Sequence, residues 1–82
     1  MLKKQPVPIE DVRVPVKRVK TLDADKVQKI AEDMLLNGQT TPIRVRPDGD
    51  KYVLIEGLHR LEALRALGEE TVQAYLVQAR LH

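Results

Sequence analysis

The hydrophobic period changes several times along this chain. Residues 6–16, PVPIEDVRVPV, mix β-branched residues with three prolines, the pattern of an extended lead-in with one edge strand around Ile9–Val12. Further on the period becomes helical. Val27, Ile30, Ala31, Met34 and Leu35 fall at i, i+3, i+4, i+7 and i+8 and make one apolar stripe. Thr21 or Asp23 can cap its start, and Gly38 stands where a C′ glycine belongs, so a helix is predicted at about 23–37. TPIRVR then alternates Ile43 and Val45 against Arg44 and Arg46, PDGD is a turn, and KYVLIE is a second strand. Together they predict a hairpin over 42–56. A second helix is expected at about 58–67, stopped by Gly68, and TVQAYLVQ closes the chain as a strand with Val72, Ala74 and Leu76 on one face. The order β-α-β-β-α-β predicts a small α+β fold, one domain over 1–82, with helices packed on a mixed sheet.

Composition narrows the chemistry. There is no cysteine, so disulfides, thiolate catalysis and cysteine metal sites are excluded. The histidines are His59 and His82. Asp23/Asp25 read as helix capping and Asp48/Asp50 as turn chemistry, so no metal site built from side chains is expected. The net charge of +2 does not by itself point to nucleic acid. With only Tyr52 and Tyr75 as aromatics, a base-stacking platform is not expected. No apolar run approaches the roughly 20 residues that span a bilayer, and MLKKQPVP lacks the core of a signal peptide. The expectation is a soluble cytoplasmic protein without a membrane partner. Residues 13–20, RVPVKRVK, hold four bases and no acid. Arg13, Lys17, Arg18 and Lys20, with Arg44 and Arg46, are candidate DNA or anion contacts. Their simpler role is a solvated edge that discourages aggregation.

The charges at the helix starts are unusual. A helix N-terminus favours acids, yet the second helix opens with Leu58, His59 and Arg60. On a helical wheel Arg60 shares a side with Ala63, Leu64 and Leu67, so it meets both an unfavourable dipole and partial desolvation. An anion would offset both. Gly57 permits a left-handed turn and close backbone approach, and the free N–H groups behind it form a site suited to phosphate. Arginine adds a fork of donors, and His59 a hydrogen bond or an acid–base group. The alternative is an internal ion pair between Arg60 and Glu56. Lys26, in the first turn of the first helix, repeats the pattern more faintly; its alternative is a solvated pair with Asp23 or Asp25.

These residues resemble the ParB/sulfiredoxin superfamily over roughly residues 8–79. ParB N-terminal domains carry a glycine, three residues and Pro-Ile, here Gly38 and Pro42-Ile43. They then carry a Gly-Glu-Arg-Arg box, here Gly57-Leu58-His59-Arg60. Sulfiredoxins have Gly-Cys-His-Arg at that place and a first helix opening LDxxKV, matched here by Leu22, Asp23, Lys26 and Val27. The resemblance implies a module that binds the phosphates of ATP or CTP with Mg²⁺. Gly57, Leu58, His59, Arg60 and Lys26 would form the phosphate site. It implies weak nucleotide hydrolysis or a DNA-associated or regulatory role with a protein partner. Leu58 stands where sulfiredoxin has its cysteine, so sulfinic-acid reduction is not expected.

Two other readings stand beside it. The superfamily's free serine kinases carry Asp-Gly-His-His-Arg at the box, which places Glu56 at a catalytic carboxylate. A small-molecule kinase would use Glu56 as general base, with His59 as a second candidate catalytic group. A ParB-like DNA-binding or nuclease domain is the third.

Overall fold

The computed structural model describes residues 3–38 and 41–77. Gln78, at the end of the last expected strand, and His82 lie outside them. The strands are β1 (Lys3–Pro8), β2 (Val12–Arg13), β3 (Ile43–Asp48), β4 (Lys51–Glu56) and β5 (Thr71–Leu76). The helices are α1 (Val16–Val19), α2 (Ala24–Asn37) and α3 (Leu58–Ala66). The strands form one mixed sheet in the order β1-β5-β3-β4-β2. β1/β5 and β3/β4 are antiparallel, while β5/β3 and β4/β2 are parallel. This is the expected α+β architecture of helices on a mixed sheet.

The N-terminal segment differs from its expected form. The edge strand runs over Lys3–Pro8, through Pro6 and Pro8, and Ile9–Asp11 is a 3₁₀ turn. Alternate prolines are tolerated in an edge strand, where the missing N–H would face solvent. The turn drops the Ile9 side chain into the core while its N–H donates to the Glu70 carbonyl at 2.9 Å. Strand pairing then resumes as β2, which adds to β4. The basic run contains the short helix α1, whose Val16 and Val19 are exposed.

Helix α2 forms as its stripe dictates. Asp23 is the N-cap, its Oδ1 accepting from the N–H groups of Asp25 at 3.0 Å and Lys26 at 3.4 Å. Met34 is buried, and Val27, Ile30 and Ala31 pack against the core. Leu35 departs from the expected stripe: it is 73% exposed. It lies in the last turn, at the lip of a groove between the C-terminal parts of α2 and α3. Helix α3 is apolar on two sides. Leu58, Leu61, Ala63 and Leu64 are all buried, against the sheet and against α2. Under them lie Val7, Ile43, Val45, Leu54 and Val72, which complete the core.

Two local contacts shape the frame. Gly57 joins β4 to α3 at φ 111°, and a Cβ built there would sit 2.6 Å from Ile43 Cγ2. The glycine is therefore required twice, by its backbone conformation and by its packing. At the far end of the sheet, Lys51 Nζ donates to Asp11 Oδ1 at 2.9 Å and ties β4 to the 3₁₀ turn. The Asp11 carboxylate, through this bond and its charge, raises Lys51 above the ordinary lysine value of 10.5.

Gly57→Ala is expected to destabilise the fold by about 2–4 kcal/mol, combining left-handed strain with overpacking. Gly68, also at positive φ but in open space, provides the control: Gly68→Ala should cost only about 1 kcal/mol. Urea midpoints of the two variants would measure the difference. For Lys51 the folded state holds the proton more tightly. Its contribution is complete below the unfolded lysine value and is lost as pH rises through the raised folded one. Lys51→Met should flatten that alkaline limb of a stability–pH curve.

Candidate functional site

The two helices that pack on each other, α2 and α3, present opposite solutions to the same problem. α2 is capped internally by Asp23, so its first-turn N–H groups are partly satisfied. α3 has no side-chain cap and no acid in its first turn, since its N-cap is Gly57. The free N–H groups and positive dipole end of α3 are thus left open, with Arg60 beside them.

Arg60 and Lys26 meet at a cavity of about 260 Å³ lined by Lys26, Lys29, Ile30, Asp33, Met34, Gly38 and Arg60. Among the described residues neither Lys26 nor Arg60 forms an ion pair. Asp33 is engaged by Asn37 Nδ2, which donates to its Oδ1 at 2.8 Å. Three cations and one carboxylate therefore line the cavity, over an apolar floor of Ile30 and Met34. The chemistry is that of a site for an anion carrying an apolar or planar group. The solvated pairing of Lys26 with Asp23 or Asp25 does not occur: the Asp23 carboxylate is turned to backbone N–H groups instead.

The internal pair between Glu56 and Arg60 is also not formed, and the sheet explains why. A strict β3/β4 hairpin register would set Arg44 opposite Ile55. An irregularity between Arg44 and Val45 sets it opposite Glu56. A bulge re-aims the side chain that follows it. Glu56 Oε1 accordingly lies 3.5 Å from Arg44 Nε, with the Glu56 side chain 70% exposed. Glu56 does not line the cavity with Lys26 and Arg60.

The remaining candidates divide clearly. Leu58 is buried in the core, so only its backbone N–H is available to a ligand. His59 is half-buried, and its Nε2 accepts from the Asp23 backbone N–H at 3.0 Å. Arg44 and Arg46 alternate with the buried Ile43 and Val45, so they project from the face of the sheet opposite α2 and α3. Arg46 and Arg13 line a separate concavity there of about 330 Å³ with Val14, Pro15, Val16 and Val53. Arg13 is paired with Asp48. Lys17, Arg18 and Lys20 are exposed on and just after α1. Of these expected anion contacts only Arg13 and Arg44 form ion pairs among the described residues, and Lys26 and Arg60 are the two that line one cavity together.

In the sequence Met34 has only a place in the apolar stripe, Gly38 is only a helix stop and a motif glycine, and Lys29 and Asp33 are not assigned to the site. The signal was present: Lys26, Lys29, Ile30, Asp33 and Met34 fall at i, i+3, i+4, i+7 and i+8, one helix face that mixes charged and apolar residues. Among the described residues no three histidine, aspartate or glutamate side chains gather as a metal cluster. No helix among them is long and apolar enough to cross a membrane.

The family model of the ParB N-terminal domain matches residues 2–81. The chain is 35% identical over 69 residues to the chromosome-partitioning protein ParB of Myxococcus xanthus, covering 83% of this chain and 23% of that protein. It is 31% identical over 67 residues to the chloroplastic/mitochondrial sulfiredoxin of Arabidopsis thaliana, covering 82% of this chain and 54% of that protein. The chain thus spans about half or less of these relatives' lengths. Among solved structures, the Arabidopsis sulfiredoxin superposes with a TM-score of 0.83 at 27% identity, over 94% of this chain and 86% of that one. A C-terminally truncated ParB of Caulobacter crescentus, complexed with CTP-γ-S, gives 0.81 at 22% identity, over 95% and 46%. A free serine kinase in complex with AMP gives 0.76 at 16% identity, over 93% and 31%.

Proposed function

The chain belongs to the ParB N-terminal domain family, and from that premise we propose that it is a nucleotide-binding module whose phosphate site lies at the start of α3. One observation carries the reading. Lys26 and Arg60, from two different helices, line one cavity, Arg60 reaching it from the uncapped first turn of α3, and neither has an ionic partner among the described residues. Two cations without counter-ions at the positive end of a helix repel each other, and a phosphate removes that cost. The N–H groups of Leu58, His59 and Arg60 would take phosphate oxygens, the Arg60 fork would bind two of them, and Lys26 would add a point charge. Ile30 and Met34 would support the apolar part of the nucleotide. Mg²⁺ would arrive with the phosphates, whose charge it offsets. The fold is shared with proteins solved with CTP-γ-S and with AMP, which supports a nucleotide as the ligand.

The geometry favours binding over phosphoryl transfer. Glu56, the general base of the kinase reading, is paired with Arg44 and turned away from the cavity. The DNA reading rests on Arg13, Lys17, Arg18, Lys20, Arg44 and Arg46, of which Arg13 and Arg44 have carboxylate partners and none lines the cavity with Lys26 and Arg60.

Titration with Mg·CTP, Mg·ATP and ADP, followed by amide chemical shifts, should move residues 57–60 and Lys26 first. Arg60→Ala and Lys26→Ala should each weaken binding roughly tenfold or more, the scale of a charge-assisted hydrogen bond. Unmoved amides at millimolar nucleotide would sink the reading. Glu56→Gln should bind nucleotide as the unaltered protein does; a loss of binding would place Glu56 in the site.

A further inference from the structure

The imidazole of His59 makes a contact that phosphate binding alone does not require. Its Nε2 accepts a hydrogen bond from the Asp23 backbone N–H at 3.0 Å, across 36 positions of sequence. Asp23 is the N-cap of α2. The N–H of an N-cap residue lies outside the helical ladder, and in a capping box it is taken by a glutamate or glutamine three residues on. Here that residue is Lys26, whose ammonium has no acceptor. His59 supplies the missing acceptor from a neighbouring helix. A ring that accepts at Nε2 carries its proton on Nδ1 and is neutral.

We propose that His59 is a positioning residue, a neutral strut whose Nε2 completes the cap of α2 and so sets Lys26 against Arg60. One end of the strut is Asp23, three residues before Lys26; the other is the residue that precedes Arg60. Asp23 serves both directions. Its carboxylate holds the first turn of α2, and its N–H holds α3. The ring's Nε2 is occupied by this bond and is not the proton-transfer atom of a catalytic group. The consequence for binding rests on the nucleotide reading; the bond itself does not.

The bond can be observed directly. In ¹⁵N-labelled protein at neutral pH, without nucleotide, a two-bond coupling across the hydrogen bond should link the Asp23 amide nitrogen to His59 Nε2, with the ring proton on Nδ1. A missing coupling or a proton on Nε2 overturns the strut. Positioning is then read with Mg·CTP and Mg·ATP. His59→Leu should weaken binding about fivefold to tenfold, the loss of one neutral hydrogen bond. His59→Gln places an acceptor near the position of Nε2 and should restore binding. His59→Asn reaches only the position of Nδ1 and should behave like leucine, which keeps the test decisive if the leucine variant fails to fold. In a Lys26→Ala background, His59→Leu should add no further loss. Losses that multiply would make His59 an independent phosphate ligand and overturn the proposal. If the unaltered protein binds neither nucleotide, the nucleotide reading falls alone. Amide exchange at Asp23–Lys26, faster in His59→Leu and restored in His59→Gln, then decides the positioning claim.

Discussion

Ile43 packs against the backbone at Gly57 so closely that no side chain fits between them. That contact lets the chain leave β4, turn through a left-handed residue and begin α3 directly above β3. Leu58, Leu61, Ala63 and Leu64 are then buried between the sheet and α2. The helix pair and the cavity between its members follow from where α3 starts. The glycine that leaves the first turn of α3 uncapped is thus first a packing residue. Whatever that turn binds, the site is built on a contact the fold cannot do without.

Much of this was readable from the period of apolar residues. The stripe of α2 and the alternation of Ile43 and Val45 give that helix and the central hairpin, because each is a local consequence of burying one face; α3, buried on two sides, is marked instead by the glycines that bound it, Gly57 and Gly68. Leu35 departs from the pattern because, eight residues after Val27, it falls at the margin of the stripe and lies at the lip of the groove beside α3 rather than in the core. The edge strand lies earlier than the expected Ile9–Val12, over Lys3–Pro8, because alternate prolines fit an edge strand and Ile9–Asp11 turns to bury Ile9. β2 and α1 are too short to carry a period, and the parallel pairing of β2 with β4 is set by the tertiary fold.

The site was legible in a different way. Arg60 and Lys26 stood out because they oppose the helix dipole, a conflict visible without coordinates. The fate of Glu56 was not legible, because it turns on one irregularity between Arg44 and Val45 that shifts a pairing by one residue. A one-residue shift decides which face a strand residue serves. It gives Glu56 to Arg44 and leaves Arg60 without it. The bond from Asp23 to His59 was equally hidden: both residues were singled out, but nothing in the chain says that one completes the other's cap.

The prolines of β1 bear on more than strand placement. The two outer strands of a sheet offer unpaired backbone groups to any extended segment that passes, including one from another copy. In β1, Pro6 and Pro8 lack the N–H donors that such a segment would use, and the opposite outer strand, β2, is only two residues long. Neither margin of the sheet presents a continuous row of donors and acceptors. The sheet therefore resists growth by strand addition, and association with another molecule is directed to its faces and its helices.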